Sequence, residues 1–335
     1  MDSVTQLLLG ASVAGATLGP TLGARALLIG GVVATLPDLD SLVPMGNAID
    51  DMTYHRGATH SLLVQTAVAP LIAYGVTRVV RDARAHWRTV LATVWLCLIT
   101  HSLLDSLTTY GTQLLWPLQI GPPVALSVVF IIDPLYSLML LAGVLSFTAW
   151  RRHRPRGVAA VRLLLLVSTI YLGLGFGGHL LVRSKAEAHP AFAGKPLHVQ
   201  PTPFNILMWQ VLAVDEGHYV AGMTGVAGHC PITEVSRAPR LAQPPAGLDP
   251  SPSVRRLEWF SNGFYSYVNG AENINITDLR MGYHPSFIFS FRIAERNGSG
   301  WQEIEPVQLR PARPRTQLLD DLGGLLSRTW RACTS

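Results

Sequence analysis

Three short strings carry most of the residues able to do chemistry. They are Leu36-Pro37-Asp38-Leu39-Asp40, His55-Arg56-Gly57-Ala58-Thr59-His60-Ser61 and His101-Ser102-Leu103-Leu104-Asp105. Imidazole and carboxylate together suit zinc, manganese or iron, and no thiolate lies among them. On a helix, His101 and Asp105 stand four residues apart and project from one face, as two ligands of one ion or as a ligand and its supporting partner. Counting Asp38, Asp40, His55, His60, His101 and Asp105 as candidate ligands, the set is large enough for one or two divalent ions. A pair of ions can activate water and clamp a phosphoryl group. Asp40 and Arg56 are the candidates for a direct catalytic part, with Arg56 either binding an anionic substrate or pairing with a carboxylate. Each string also has a bland reading. A lone His-x-x-x-Asp is an ordinary hydrogen-bonded pair, Pro-Asp-x-Asp a helix stop, and His55-Arg56 a solvated loop. Asp133, just before Pro134, reads as a helix cap.

The elements that must position these residues are apolar. The chain has 335 residues, 49% hydrophobic and 14% charged, with a mean hydropathy of +0.30. Soluble domains carry about 25% charged residues, so lipid is expected to be the solvent for part of this chain. A spanning helix needs about 20 apolar residues. Ser61–Val80, Thr89–Leu107, Pro134–Trp150 and Val158–Val182 approach that length. Thr5–Leu18 and Ala24–Leu36 are shorter, and read as tilted spans or as a hairpin that enters the bilayer and returns. The fold expected is a polytopic α-helical membrane domain of about six apolar helical segments over residues 1–185. An extramembrane α+β, β-rich domain follows over residues 186–335.

The arginines orient this arrangement. Arg78, Arg81, Arg84 and Arg88 join the third and fourth segments, and Arg151, Arg152, Arg154 and Arg156 join the fifth and sixth. Short basic loops stay in the cytoplasm. The other ends of those helices, with His60, His101, Asp105, Asp133 and the Asp38/Asp40 pair, then share the opposite face. The C-terminal half follows them to that face. Ionisable residues in or beside membrane helices are costly, and are normally paired or functional. Their convergence favours a metal site over three unrelated bland features.

The C-terminal half reads differently. Ser286–Ile293 suggests a strand, and Leu257–Val268 a strand pair turning at Asn262-Gly263. Leu318, Leu319, Leu322, Leu325, Leu326 and Trp330 recur at helical spacing and mark an amphipathic helix docked on the domain or on the membrane. Cys97, Cys230 and Cys333 form no framework and no CxxC pair. Cys97 reads as core, and a bond between Cys230 and Cys333 is open. No basic region precedes the first apolar segment, which is read as retained. The net charge of +5 comes with no nucleic-acid-binding motif, so nucleic acid is excluded as a partner. Membrane lipids are the expected surroundings.

These strings resemble the YdjM-like family of bacterial inner-membrane-bound predicted metal-dependent hydrolases. The resemblance rests on Met1-Asp2-Ser3-Val4-Thr5, Leu36-Pro37-Asp38-Leu39-Asp40, Tyr54 through Ser61, and His101-Ser102-Leu103-Leu104-Asp105. Ile132-Asp133-Pro134, Pro201 through Asn205 with Trp209, and Asp278 through Gly282 are further echoes. What the resemblance implies is an inner-membrane location and a metal-dependent hydrolase. Members often carry histidine after the opening threonine, where this chain has Gln6. Either one ligand is lost or water replaces it.

The leading expectation is therefore a membrane hydrolase with one or two divalent ions, zinc first. Its substrate would be a phosphoester or a lipid-linked molecule at the outer membrane–water boundary, selected by a C-terminal domain that covers the site. No HExxH or GxSxG string points to other hydrolases. The alternatives are a non-catalytic metal sensor, carrier or assembly factor, or charged pairs that only hold helices together.

Overall fold

Helix starts follow the capping residues of the sequence. The Asp2 carboxylate accepts from Thr5 N and opens α1 (Ser3–Thr17). One turn, α2 (Gly19–Leu22), reverses the chain into α3 (Ala24–Thr35). Asn47 caps α4 (Ala48–Tyr54) and Ser61 caps α5 (Leu62–Val79). Next come α6 (Trp87–Ser106), α7 (Pro134–Ala149) and α8 (Arg154–Ala188). Asp133 caps α7 as its place before Pro134 predicts, and its second oxygen accepts from Tyr171 OH at 2.7 Å. The computed structural model describes residues 1–118, 120–150, 153–298, 300–310 and 315–334, without the side chains of 315–319. Arg151 and Arg152 of the sequence reading lie outside the described residues, as do the side chains of Leu318 and Leu319. The chain forms two compact units, residues 1–43, 56–175 and 203–205, and residues 44–55, 176–202 and 206–335.

The first unit is helical. α1 and α3 run antiparallel as a hairpin, with Gly10 facing Gly30 and Gly15 facing Leu27. A Cβ at Gly30 would overlap the Gly10 carbonyl oxygen and the Ala14 methyl. Small residues thus allow a backbone approach that larger ones forbid. Ala11, Ala16 and Leu27 of the hairpin form a core with Phe147, Val158 and Val161. Gly30→Ala should therefore lower the melting temperature in detergent strongly, by a destabilisation of about 1–3 kcal/mol or more. Gly75→Ala, where a Cβ meets nothing within 4 Å, should leave it unchanged or slightly raised. Equal melting of the two variants would refute the close-packing account.

Among the described residues, three helices are long and apolar enough to cross a membrane: Leu62–Val79, Arg81–Ser106 and Arg154–Ala188. Their exposed faces are apolar, with Leu63, Leu71, Leu163, Leu166, Ile170 and Leu174 among the outward side chains. Large exposed apolar surface of this kind belongs in lipid. The expected count of about six spans is not supported. α1, α3 and α7 have 15, 12 and 16 residues, and reach only about 18–24 Å at 1.5 Å per residue, against a core of about 30 Å. The apolar runs are real. Turns and caps cut them before they reach spanning length.

The second unit is sheet-rich. An antiparallel sheet orders β1 (Leu197–Pro201), β2 (Met208–Val214), β3 (His218–Gly225) and β4 (Thr233–Pro239). Every residue of β2 is buried, because both faces of this sheet are covered. Val199, Trp209, Val211 and Ala213 pack on Val182, Ala186 and Phe192. Leu212, Val214, Tyr219 and Ala221 pack on Phe264 and Leu279. Helix α9 (Pro252–Phe260) leads to β5 (Tyr265–Asn269) and β6 (Asn273–Asp278). A two-stranded ribbon joins β7 (Gly282–Tyr283) to β8 (Ser286–Phe287). β9 (Ser290–Asn297) and β10 (Gly300–Gln308) complete a second sheet of order β10-β9-β6-β5.

The strand expected in Ser286–Ile293 is present, split between β8 and β9. The strand pair expected over Leu257–Val268 is not. Leu257–Phe260 closes a helix, and only Tyr265 onward is a strand. Ser251 caps that helix, Pro252 sits at its first turn, and Val254, Leu257 and Phe260 are buried at a three-residue spacing. Asn262 and Gly263 do form a turn, with φ of 52° and 80°. It ends a helix rather than joining two strands. The C-terminal helix, α10 (Arg315–Thr334), forms as expected. Its Cys333 is bonded to Cys230.

Candidate metal centre

Three elements of the first unit meet at one place. After α3, Pro37 starts a tight 3₁₀ turn, Pro37–Leu42, that carries Asp38 and Asp40. A second such turn, Ala58–His60, delivers His60 just before α5 begins. The last turns of α6 supply His101 and Asp105 from one helical face. The basic ends of the same helices, Arg78 of α5 and Arg88 of α6, are the opposite ones. α3 and α6 both bring their C-terminal ends to the group, and helix C-termini carry partial negative charge that favours a cation.

His60 Nε2 and His101 Nε2 stand 3.1 Å apart. Asp38 Oδ1 is 3.4 Å from the first and 3.5 Å from the second. Asp105 Oδ2 lies 3.2 Å from His60 Nε2 and 3.6 Å from His101 Nε2. One ligand atom from each of the four residues lies within 4.8 Å of every other. Four ligands at about 2.0 Å in a tetrahedron stand about 3.3 Å from each other, so separations of 3.1–3.6 Å suit ligands around one ion. The side chains of His60, His101 and Asp105 are fully buried, and that of Asp38 is 18% exposed.

The electrostatics also call for a cation. Asp105 Oδ2 is buried and accepts no hydrogen bond, and Arg56 Nε, 3.2 Å away, donates none. An orphaned carboxylate oxygen in the interior is costly. Burial pushes the Asp38 carboxyl up, but hydrogen bonds from His101 and His60 outweigh it and hold the group well below the usual carboxylate range. Burial pushes His60 down, while the facing carboxylates of Asp105 and Asp38 outweigh that and raise it. The group thus draws positive charge to itself. Two imidazoles and two carboxylates, with no thiolate, fit one divalent ion of the zinc, manganese or iron type.

Asp40 and Arg56 lie beside this group. Asp40 stands behind His60, 3.6 Å from its Nδ1, and accepts from Thr59 Oγ1 at 2.6 Å and from Arg56 N at 3.2 Å. Arg56 is 3% exposed and has a left-handed φ of 61°. Its guanidinium faces Asp105, donates to Thr108 Oγ1 at 3.1 Å, and lies 4.9 Å from the Tyr110 ring centre. His55 closes α4, belongs to the second unit, and is not one of the four residues.

The sequence reading took Gln6 only as the replacement of a family histidine, and it missed the parts of Met1 and Gln65. Gln6 Nε2 donates to Asp105 Oδ1 at 2.9 Å and to His101 O at 3.3 Å. The amino group of Met1 also donates to Asp105 Oδ1. So Gln6 holds the carboxylate oxygen that faces away from the group. Gln65 Nε2 binds Thr59 O at 2.9 Å and Ser102 Oγ at 2.7 Å. A polar residue such as Gln65, one turn into an apolar helix, was the available signal.

A sequence model of the YdjM inner membrane protein family matches residues 1–179, which include all four clustered residues. The chain belongs to that family. Among similar proteins, the inner membrane protein YbcI of Escherichia coli (strain K12) is 40% identical over 100 residues, covering 28% of this chain and 54% of YbcI. The "Uncharacterized protein YfhP" of Bacillus subtilis (strain 168) is 28% identical over 182 residues, covering 51% of this chain and 53% of YfhP. The match thus spans about half the length of each relative. No solved structure matches the chain. The YdjM match supports the expected resemblance and an inner-membrane setting for the apolar helices.

Proposed function

We propose that this YdjM-family protein is an integral membrane metal-dependent hydrolase. Its substrate is a phosphoester or a lipid-linked molecule at the outer, periplasmic boundary of the bacterial inner membrane. The observation that carries the reading is the buried convergence of Asp38, His60, His101 and Asp105 at the ends of apolar helices. A divalent ion, when bound, lowers the pKa of water and polarises a phosphoryl or carbonyl oxygen. The chain's own part is to hold it. His60 and His101 present Nε2, Asp38 and Asp105 present one oxygen each, and Gln6 fixes the other oxygen of Asp105. Arg56 sets a permanent positive charge against Asp105, which limits the negative charge of the set. Asp38, the one partly exposed member, marks the side from which substrate arrives.

Two features support the outer face. The arginine-rich ends of α5 and α6 are opposite the centre, as the positive-inside rule expects of a periplasmic site. The bond between Cys230 and Cys333 fits an oxidising compartment. The complete burial of three of the four ligands favours a second reading, a metal sensor, carrier or assembly factor without turnover. Elemental analysis of detergent-purified protein beside His60→Ala, with phosphoester and lipid substrates assayed in parallel, separates the two. The hydrolase predicts about one ion per chain, and turnover lost at least 10³-fold with the histidine, on the order of a lost catalytic group. Metal without turnover selects the second reading. No metal in either protein after supplementation defeats both.

A further inference from the structure

We propose that Thr59 is a positioning residue whose hydroxyl locks the tautomer of His60 by linking its Nδ1 to Asp40. The inference rests on the metal reading of the centre and assigns a part to a residue that binds no ion itself. Thr59 Oγ1 lies 2.6 Å from Asp40 Oδ2 and 2.9 Å from His60 Nδ1. A hydroxyl has one proton to give, and a carboxylate can only accept. Asp40 Oδ2 also accepts from the Arg56 main-chain N–H, which keeps that oxygen an acceptor. The Thr59 proton therefore goes to Asp40, over a short charge-assisted bond. Toward His60 the same oxygen must then accept, so Nδ1 carries the ring proton.

The consequence falls on the other ring nitrogen. With Nδ1 protonated, Nε2 keeps its lone pair, and Nε2 is the atom that faces His101, Asp38 and Asp105. The direct His60 Nδ1 to Asp40 Oδ2 separation is 3.6 Å, longer than a hydrogen bond. Asp40 thus acts through the hydroxyl. Thr59 is itself pinned, because Gln65 donates to its carbonyl and ties it to Ser102 on α6. Outer partners of ligating histidines commonly fix tautomer and ring orientation, and their loss costs about 10–100-fold in metal affinity.

The test uses the full-length, detergent-purified protein and cobalt(II) as the probe. Thr59→Val keeps the shape and removes the hydroxyl, and Thr59→Ser restores it. The expected result is cobalt affinity about 10–100-fold weaker in the valine variant, a changed cobalt absorption spectrum, and recovery of both in the serine variant. Wild-type affinity in Thr59→Val, or equal weakening in Thr59→Ser, overturns the relay while leaving the metal centre standing. A wild-type protein that binds no cobalt overturns the centre and the relay together. A measurement on unmutated protein guards against a misfolded variant. In zinc-loaded, ¹⁵N-histidine-labelled chain, the His60 signal must show a protonated Nδ1, and a protonated Nε2 with bare Nδ1 overturns the relay directly.

Discussion

Asp105→Ala should remove bound metal and destabilise the fold at once, more severely than any other single change at the centre. Its side chain is fully buried. One oxygen receives Gln6 and the Met1 amino group, and the other faces Arg56 and both imidazoles. Truncation leaves a buried guanidinium without its counter-charge. Breaking a buried pair from one side costs about 3–5 kcal/mol. Asp38→Ala makes the contrast. That carboxylate is partly exposed, and it faces the two histidines. It should lose metal yet melt close to the metal-free wild type. The measurement is elemental content and thermal unfolding of both variants and wild type, with and without a chelator. Chelation should lower the wild-type melting temperature, since an ion at a thousand times its Kd contributes about 4 kcal/mol. It should not move either variant. Wild-type metal content in Asp105→Ala would remove Asp105 from the centre.

The clustering of His60, His101 and Asp105 was legible in the sequence because two independent constraints agreed. The arginine loops put the ends of α5 and α6 that carry His60, His101 and Asp105 on one side, and helical spacing put His101 and Asp105 on one face. The division of labour between Asp38 and Asp40 was not legible. Two residues apart in a tight turn, they differ only in the direction each side chain takes, and that depends on where Thr59 and His60 arrive. Arg56 has the same character. Its left-handed backbone turns the guanidinium inward to Asp105, which its place in the string does not reveal. The span count failed for a different reason. Hydropathy registers apolar runs, whereas crossing depends on uninterrupted helix, and Gly23 and Pro37 stop α3 at 12 residues. In Leu257–Val268 the aromatic residues masked a three-residue burial period, so β propensity was allowed to outrank a cap at Ser251.

Cys333→Ser should loosen the C-terminal helix from the sheet-rich unit, with a cost of about 2–5 kcal/mol. The bonded cysteines are 103 residues apart in sequence, and a cross-link closing a loop of that length removes much entropy from the unfolded chain. Other ties of α10 are weaker. Arg328 pairs with Glu234 on the surface, Thr329 meets Thr233, and His229 binds the Cys333 carbonyl. Exposed ion pairs contribute about 0–1 kcal/mol, so they cannot replace the bond. Trypsin should then cut at Arg328 and Arg331 in the serine variant much faster than in wild type, and the variant should melt lower. The same bond reports on sidedness. In protein taken from cells into acid, denatured and alkylated without reduction, only Cys97, the one free cysteine, should be modified. Alkylation of all three would show that Cys230 and Cys333 stay reduced in the cell. That result would argue that the sheet-rich unit faces the cytoplasm, against the outer side expected for it.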